Sequence, residues 1–256
     1  MLFHYNKFHE AAFMDVAGEI TGKISKQYNS VEYYFQLKKT NEQLLEENLR
    51  LRNKLKEDFL PTDTATELVL DSIRVDSLEI YRRYLYFPAK VINNSVTSQT
   101  NYLTISRGSN QGLSKDMAVV SPTGIIGTIV NVSPNMAIVM SILHWQSRVS
   151  ASLLNSGETG SIEWDGEDPQ VLTFRNIPRS AHPKIGDTVV TSRYSTFPPG
   201  QPIGTIVNME QQGGSNFYVL KVKPSTNFFN IQFVYAVRNL QKEEQDALEK
   251  IANKQE

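Results

Sequence analysis

The chain has 256 residues and a mass of 29.0 kDa, is 40% hydrophobic, and carries a formal charge of -1 from 26 basic and 27 acidic side chains. That is enough to bury one or two cores of ordinary domain size and too polar for a bundle of membrane helices, and the balanced charge supplies no field for phosphate backbones. A multi-span membrane protein is excluded, and a general nucleic-acid binder is disfavoured. Cysteine is absent, which removes disulfides, thiolate metal sites and cysteine nucleophiles and leaves the redox compartment open.

In chain order, the opening Met1-Leu2-Phe3-His4-Tyr5-Asn6-Lys7-Phe8 lacks the segments of a signal peptide. Its abrupt aromatic start suits a chain that begins just after a membrane anchor, a natural cytoplasmic start being the alternative. The breakers are uneven: no proline precedes Pro61, and no glycine lies between Gly22 and Gly108. A helical front and a turn-rich back follow.

Asp15 to Asp58 reads as helix, and its second half carries a seven-residue repeat. With Leu37, Leu44 and Leu51 at d, positions a fall on Asn41, Asn48 and Leu55, and paired asparagines at a favour a parallel dimer. Glu47 at g then meets Arg52 at the following e of the other chain with opposite charge. A single amphipathic helix lying on its own globular domain is the alternative, since three heptads with polar a positions pair weakly.

Residues 61–88 read as a connector that ends in the aromatics Tyr81, Tyr84, Tyr86 and Phe87. These either cover the edge of the following sheet or face a partner. From Ala89 to Leu240 the chain breaks into about twelve β-like runs separated by Gly, Pro, Asn, Asp and Ser. No helical stretch intervenes, so the region is a sandwich or small barrels and not a parallel βαβ sheet.

The hexapeptide Ile126-Gly127-Thr128-Ile129-Val130-Asn131 returns unchanged as Ile203-Gly204-Thr205-Ile206-Val207-Asn208, each copy after a Val-Val strand end and a turn. The repeat points to two barrels, whose boundary we place at 165/166, giving domains at 89–165 and 166–240. Gly127 and Gly204 sit between branched residues where a missing side chain allows a kink. Gly108, Gly112, Gly124, Gly186 and Gly200 are further turn or kink glycines. The tail at 241–256 is charged, and a frayed helix or a flexible segment is expected. The longest nearly apolar stretch, Met136 to Leu143 with Trp145 beyond, is shorter than the roughly 20 residues a membrane helix needs.

No catalytic set is legible. The four histidines, His4, His9, His144 and His182, have no metal-ligand spacing. No serine lies in a nucleophile-elbow context, none is followed three residues later by lysine, and no phosphate-cradling glycine loop occurs. Glu163, Asp165, Glu167 and Asp168 around Trp164 and Gly166 read as a solvated turn and not as a glycosidase pair.

Several segments together resemble the MreC family of rod shape-determining proteins. They are Leu44-Leu45-Glu46-Glu47-Asn48-Leu49-Arg50-Leu51, Pro88 to Ile92, Leu103 to Gly108 with Gly112, and Met117 to Val120 with Gly124 to Gly127. Gly186 to Ser192, Phe197 to Gly204 and Val222-Lys223-Pro224 continue the likeness in the family's order. Arg193 stands where the family usually has glycine, and the family's N-terminal transmembrane helix is missing from the sequence. The resemblance implies a mainly β fold, with an N-terminal long α-helix forming a coiled coil followed by two small six-stranded β-barrel domains.

It further implies a homodimer, or higher assemblies, on the periplasmic side of the bacterial inner membrane. There it would serve as a non-enzymatic scaffold that maintains rod shape by binding the elongation-specific penicillin-binding transpeptidase, RodA, MreD and MreB. No cofactor, metal or nucleic acid is implied. Exposed sheet edges would add strands from a neighbour, and Tyr81, Tyr84, Tyr86, Tyr194 and Phe197 are candidate partner-facing residues. Two other readings remain: a periplasmic adaptor of an efflux or secretion system, which predicts a helical hairpin inserted within a β domain, and a degenerate two-barrel serine hydrolase.

Overall fold

The computed structural model describes residues 40, 43–44, 46–52, 59–61, 72–75, 78–211 and 216–252. The chain divides into two units, one ending at Arg50 and the other beginning at Leu51. In the first, residues 40, 43–44 and 46–50 are helical, in a stretch rich in Leu, Glu, Gln and Arg. The earlier part of the expected helix lies outside the described residues, as do Leu37, Asn41 and Leu55.

The second unit holds the β structure. Its connector contains a small antiparallel sheet of β1 (Phe59–Pro61), β2 (Ser72–Val75) and β3 (Leu78–Arg82), in the order β1-β3-β2. Pro61 ends an edge strand, where its missing N–H costs little in the ladder. Next come β4 (Tyr84–Asn94), β5 (Thr100–Ile105), β6 (Ala118–Val120), β7 (Ile125–Val132) and β8 (Ala137–His144).

A closed six-stranded barrel of β9 (Val149–Leu153), β10 (Thr159–Glu163), β11 (Leu172–Pro178), β12 (Thr188–Thr191), β13 (Pro202–Gln211) and β14 (Phe217–Pro224) follows, in the order β10-β11-β14-β13-β12-β9. Then β15 (Phe233–Asn239) returns to pair with both β4 and β6, which closes the other barrel in the order β15-β4-β5-β8-β7-β6. The second barrel is therefore an insertion between β8 and β15 of the first.

This moves the expected domain boundary. Val149–Glu163 belongs to the second barrel and not to the first, and Phe233–Asn239 belongs to the first and not to the second. The connector boundary at 88/89 also falls inside β4. Long-range pairing decides these memberships: Phe233–Asn239 fills the gap between β4 and β6, and its apolar run Val234-Tyr235-Ala236-Val237 is buried there.

Each barrel has its own core, set by strands whose side chains alternate between inside and outside. In β9 the pattern alternates over all five residues, with Val149, Ala151 and Leu153 inward. Leu103, Ile105, Ile129 and Val139 fill the first barrel, and Phe174, Ile206, Leu220 and Val222 fill the second. Each such side chain contributes about 1.5–3 kcal/mol through removal from water.

Closure has a consequence for recognition. Every barrel strand is paired on both sides, so the expected open edges do not exist on the barrels, and the only described edges are β1 and β2 of the small sheet. In the tail, Lys242–Ala252 forms a helix, α1, the first of the two forms expected there. Its Lys, Glu, Gln, Ala and Leu residues are good helix formers, and Asn239 Oδ1 accepts the Gln241 N–H at 3.1 Å just before it.

Candidate functional site

The internal repeat is realised as two equivalent hairpins, β6–β7 and β12–β13. Val119 pairs with Gly127 and Val189 with Gly204, and each ladder shifts register immediately afterwards, between Val119/Val120 and Val189/Val190. Further along, β7 bulges between Ile129 and Asn131, and β13 between Ile206 and Asn208. At both bulges the asparagine side chain accepts the next backbone N–H: Asn131 from Val132 at 2.9 Å and Asn208 from Met209 at 2.8 Å. Identical residues thus produce identical bends, which is what closing a small barrel requires.

The remaining glycines serve turns and contacts. Gly112, Gly186 and Gly200 have φ of 88°, 95° and 77°, the left-handed region. Gly108 packs against the backbone of Ser133–Asn135. Gly124, read from the sequence as a kink, instead faces the other barrel: a Cβ there would lie 2.6 Å from the Pro202 carbonyl oxygen.

Around Gly124 the β6–β7 turn meets the crossing from β14 to β15 in a hydroxyl cluster. Ser121 Oγ lies 3.2 Å from Thr226 Oγ1 and 3.1 Å from Thr123 Oγ1, and Asn94 Nδ2 donates to the Phe228 carbonyl at 2.7 Å. The other crossing, 145–148, is tied at both ends: Trp145 N–H donates to the Gln99 carbonyl at 3.0 Å, and Arg148 Nε meets Glu163 Oε2 at 2.8 Å. Nothing in local sequence spacing announces the contacts of Ser121 with Thr226 and of Asn94 with Phe228, whose partners lie more than 100 residues away along the chain.

Of the heptad residues, Leu44 is 49% and Leu51 53% exposed, and Glu47 and Asn48 are exposed as well. Asn48 Nδ2 donates to the Leu44 carbonyl at 2.8 Å. Arg52, expected to meet Glu47 of a second chain, has its guanidinium over two rings of the first barrel, 5.7 Å from Tyr86 and 5.1 Å from Tyr235. Both rings are buried, and the delocalised cation stacks on them. Burial pushes the Tyr235 phenol above its ordinary 10.0, and Arg52 acts in the opposite direction.

The candidate partner-facing aromatics separate. Tyr84, Tyr86 and Phe197 are buried, so they serve packing, whereas Tyr194 is 84% exposed. Tyr81 lies on β3, paired with Leu60 and Ser72. The correction has a simple cause: β4 starts at Tyr84, so the alternation of a barrel strand turns Tyr84 and Tyr86 inward.

The polar groups are engaged structurally. Glu163 is held by Arg148 and Arg175, Asp165 by Lys221 at 3.2 Å, and Trp164 Nε1 donates to the Asp168 carbonyl at 2.9 Å. Buried His144 bonds Tyr102 and the Gln146 backbone and not a serine, and burial lowers its pKa; exposed His182 follows a 3-10 turn. Among the described residues no cluster of side chains fits a metal ion, and no helix is long and apolar enough to cross a membrane. The insertion within the first barrel is a second barrel and not the helical hairpin that an efflux adaptor would carry.

A family model described as rod shape-determining protein MreC, barrel core, matches residues 91–238, more than half of the chain and both barrels. The chain belongs to the MreC family. The cell shape-determining protein MreC of Listeria monocytogenes is 28% identical over 168 residues, covering 64% of this chain and 57% of that protein. The MreC of Bacillus subtilis is 28% identical over 250 residues, covering 87% and 83%. A solved MreC structure from Listeria monocytogenes superposes with a TM-score of 0.56 at 25% identity, covering 82% of this chain and 92% of that one. The chain spans little more than half the length of the Listeria monocytogenes relative it matches. Both relatives are described as cell shape-determining proteins.

Proposed function

We propose that this MreC chain is a scaffold of the cell-elongation machinery at the bacterial inner membrane, with its barrels on the periplasmic side. It pairs through the Leu44, Asn48 and Leu51 seam and presents its barrels to the elongation-specific penicillin-binding transpeptidase, with RodA, MreD and MreB in the same assembly. The exposure of Leu44 and Leu51 on a helical segment carries the pairing: two leucines seven residues apart, half open to water, form a seam that a second helix would cover.

Because the barrels are closed, a client of the barrels binds through their outward side chains and not through strand addition to them. Such binding acts on the transpeptidase by favouring one of its conformations through differential affinity. Sedimentation equilibrium tests the pairing: the chain is expected to show a concentration-dependent dimer that Leu44→Asp weakens. A chain that stays monomeric at the highest soluble concentration overturns it.

A further inference from the structure

The stretch from Val91 to Ser106 contains no charged residue in a protein that is 21% charged, and the crossing His144-Trp145-Gln146-Ser147 is also uncharged. The fold brings these two neutral segments together at one end of the first barrel. Thr100 pairs with His144, and the Trp145 N–H donates to the Gln99 carbonyl at 3.0 Å. Two aromatic rings emerge there, Tyr102 at 39% and Trp145 at 50% exposure.

Buried His144 holds both rings. It meets Tyr102 edge-on at 5.0 Å and stacks with Trp145 at 6.4 Å between centroids. Its Nδ1 accepts the Gln146 N–H at 3.1 Å, so the ring proton sits on Nε2, which donates to the Tyr102 hydroxyl oxygen 3.1 Å away. The Tyr102 hydroxyl hydrogen stays available for an acceptor outside the protein. Around the rings stand exposed Ser98, Gln99, Thr100 and Gln146, hydroxyls and amides that both donate and accept. The nearest cation along the chain, Arg148, is occupied by Glu163 and by the Trp145 and Ser147 carbonyls.

We infer that this platform binds a neutral polysaccharide, with the apolar faces of sugar rings on Tyr102 and Trp145 and their hydroxyl and acetamido groups on the surrounding amides and hydroxyls. Rigid amphipathic rings edged by adaptable uncharged hydrogen-bonding groups suit a ligand that is itself uncharged, polar and flat-faced. The two segments carry no charge, and the charge nearest to Gln99 is acidic, since Gly166 between exposed Asp165 and Glu167 lies against it, which disfavours a nucleic acid or an anionic lipid. The inference is independent of the scaffold reading, which stands or falls on association with proteins.

The test uses the whole chain and a neutral tetramer of β-linked N-acetylglucosamine. Only two tryptophans exist, and Trp164 is buried, so the indole N–H resonance of Trp145 is a local probe. A saturable shift of that resonance, with Trp164 unmoved, is expected. Trp145→Ala and Tyr102→Ala should each weaken binding by about tenfold or more, the size of a hot-spot truncation, while the melting temperature of Trp145→Ala stays close to that of the parent. No shift at millimolar tetramer, or an equal response to an anionic oligosaccharide of the same length, overturns the assignment.

Discussion

Gly127 and Gly204 occupy equivalent places in the two barrels: a Cβ on Gly127 would lie 2.0 Å from the Met140 carbonyl oxygen, and one on Gly204 2.2 Å from that of Lys223. In each case the obstacle is the backbone of the next strand, which cannot move aside without opening the barrel. Gly127→Ala and Gly204→Ala should therefore each destabilise by about 3 kcal/mol, at the upper end of overpacking costs. Urea unfolding followed by circular dichroism measures this. The two losses should be similar, because the local geometry is the same.

His144 makes stability depend on pH. Burial lowers its pKa from 6.5, so the folded state binds the proton more weakly than the unfolded state does. Stability is fully present above pH 6.5 and is lost as pH falls below it, since a protonated ring forfeits the Nδ1 acceptor used by Gln146. Unfolding midpoints at about pH 7.5 and about pH 5.5 should differ for the parent chain and differ less for His144→Gln.

Arg52 stands over the Tyr86 and Tyr235 rings, and its loss should cost about 1–2 kcal/mol, the range for a partly desolvated cation–π contact. Tyr235 reports it directly. Burial already raises that phenol above 10.0 and Arg52 opposes the rise, so Arg52→Ala should push it higher still. The folded state then keeps its proton longer than the unfolded chain, and stability declines as pH rises above 10.0. Phenolate absorbance, compared with and without Tyr235→Phe, checks the direction.

Asn41 and Asn48 at the a positions of the proposed seam should define register at a cost in stability. Replacing both by Leu is expected to tighten association while allowing species larger than dimers, seen by sedimentation velocity. Asn48 spends one of its two amide N–H groups on the Leu44 carbonyl, and a pair across the seam would use the other N–H and the amide oxygen.

The repeat made the two barrels legible in sequence, because residues that bend a strand must recur where the bend recurs. What remained hidden was membership. The run Phe233–Asn239 looks like one more strand of the second barrel, and only its pairing with β4 and β6, more than 100 residues upstream, returns it to the first. Tyr84 and Tyr86 were ambiguous for a related reason: their side depends on where β4 begins. The two rings beneath Arg52 could not be placed there by sequence spacing, and the aromatic platform at Tyr102 and Trp145 emerges only when β5 and the 145–148 crossing are brought together.

The proposed scaffold role requires that the barrels hold a protein partner. The most direct measurement is equilibrium binding between the chain and the ectodomain of the elongation-specific transpeptidase, followed by calorimetry at several ionic strengths. Saturable association that survives moderate salt, as expected for contact through outward side chains with an apolar component, is the predicted result. No detectable association at any ionic strength would contradict it.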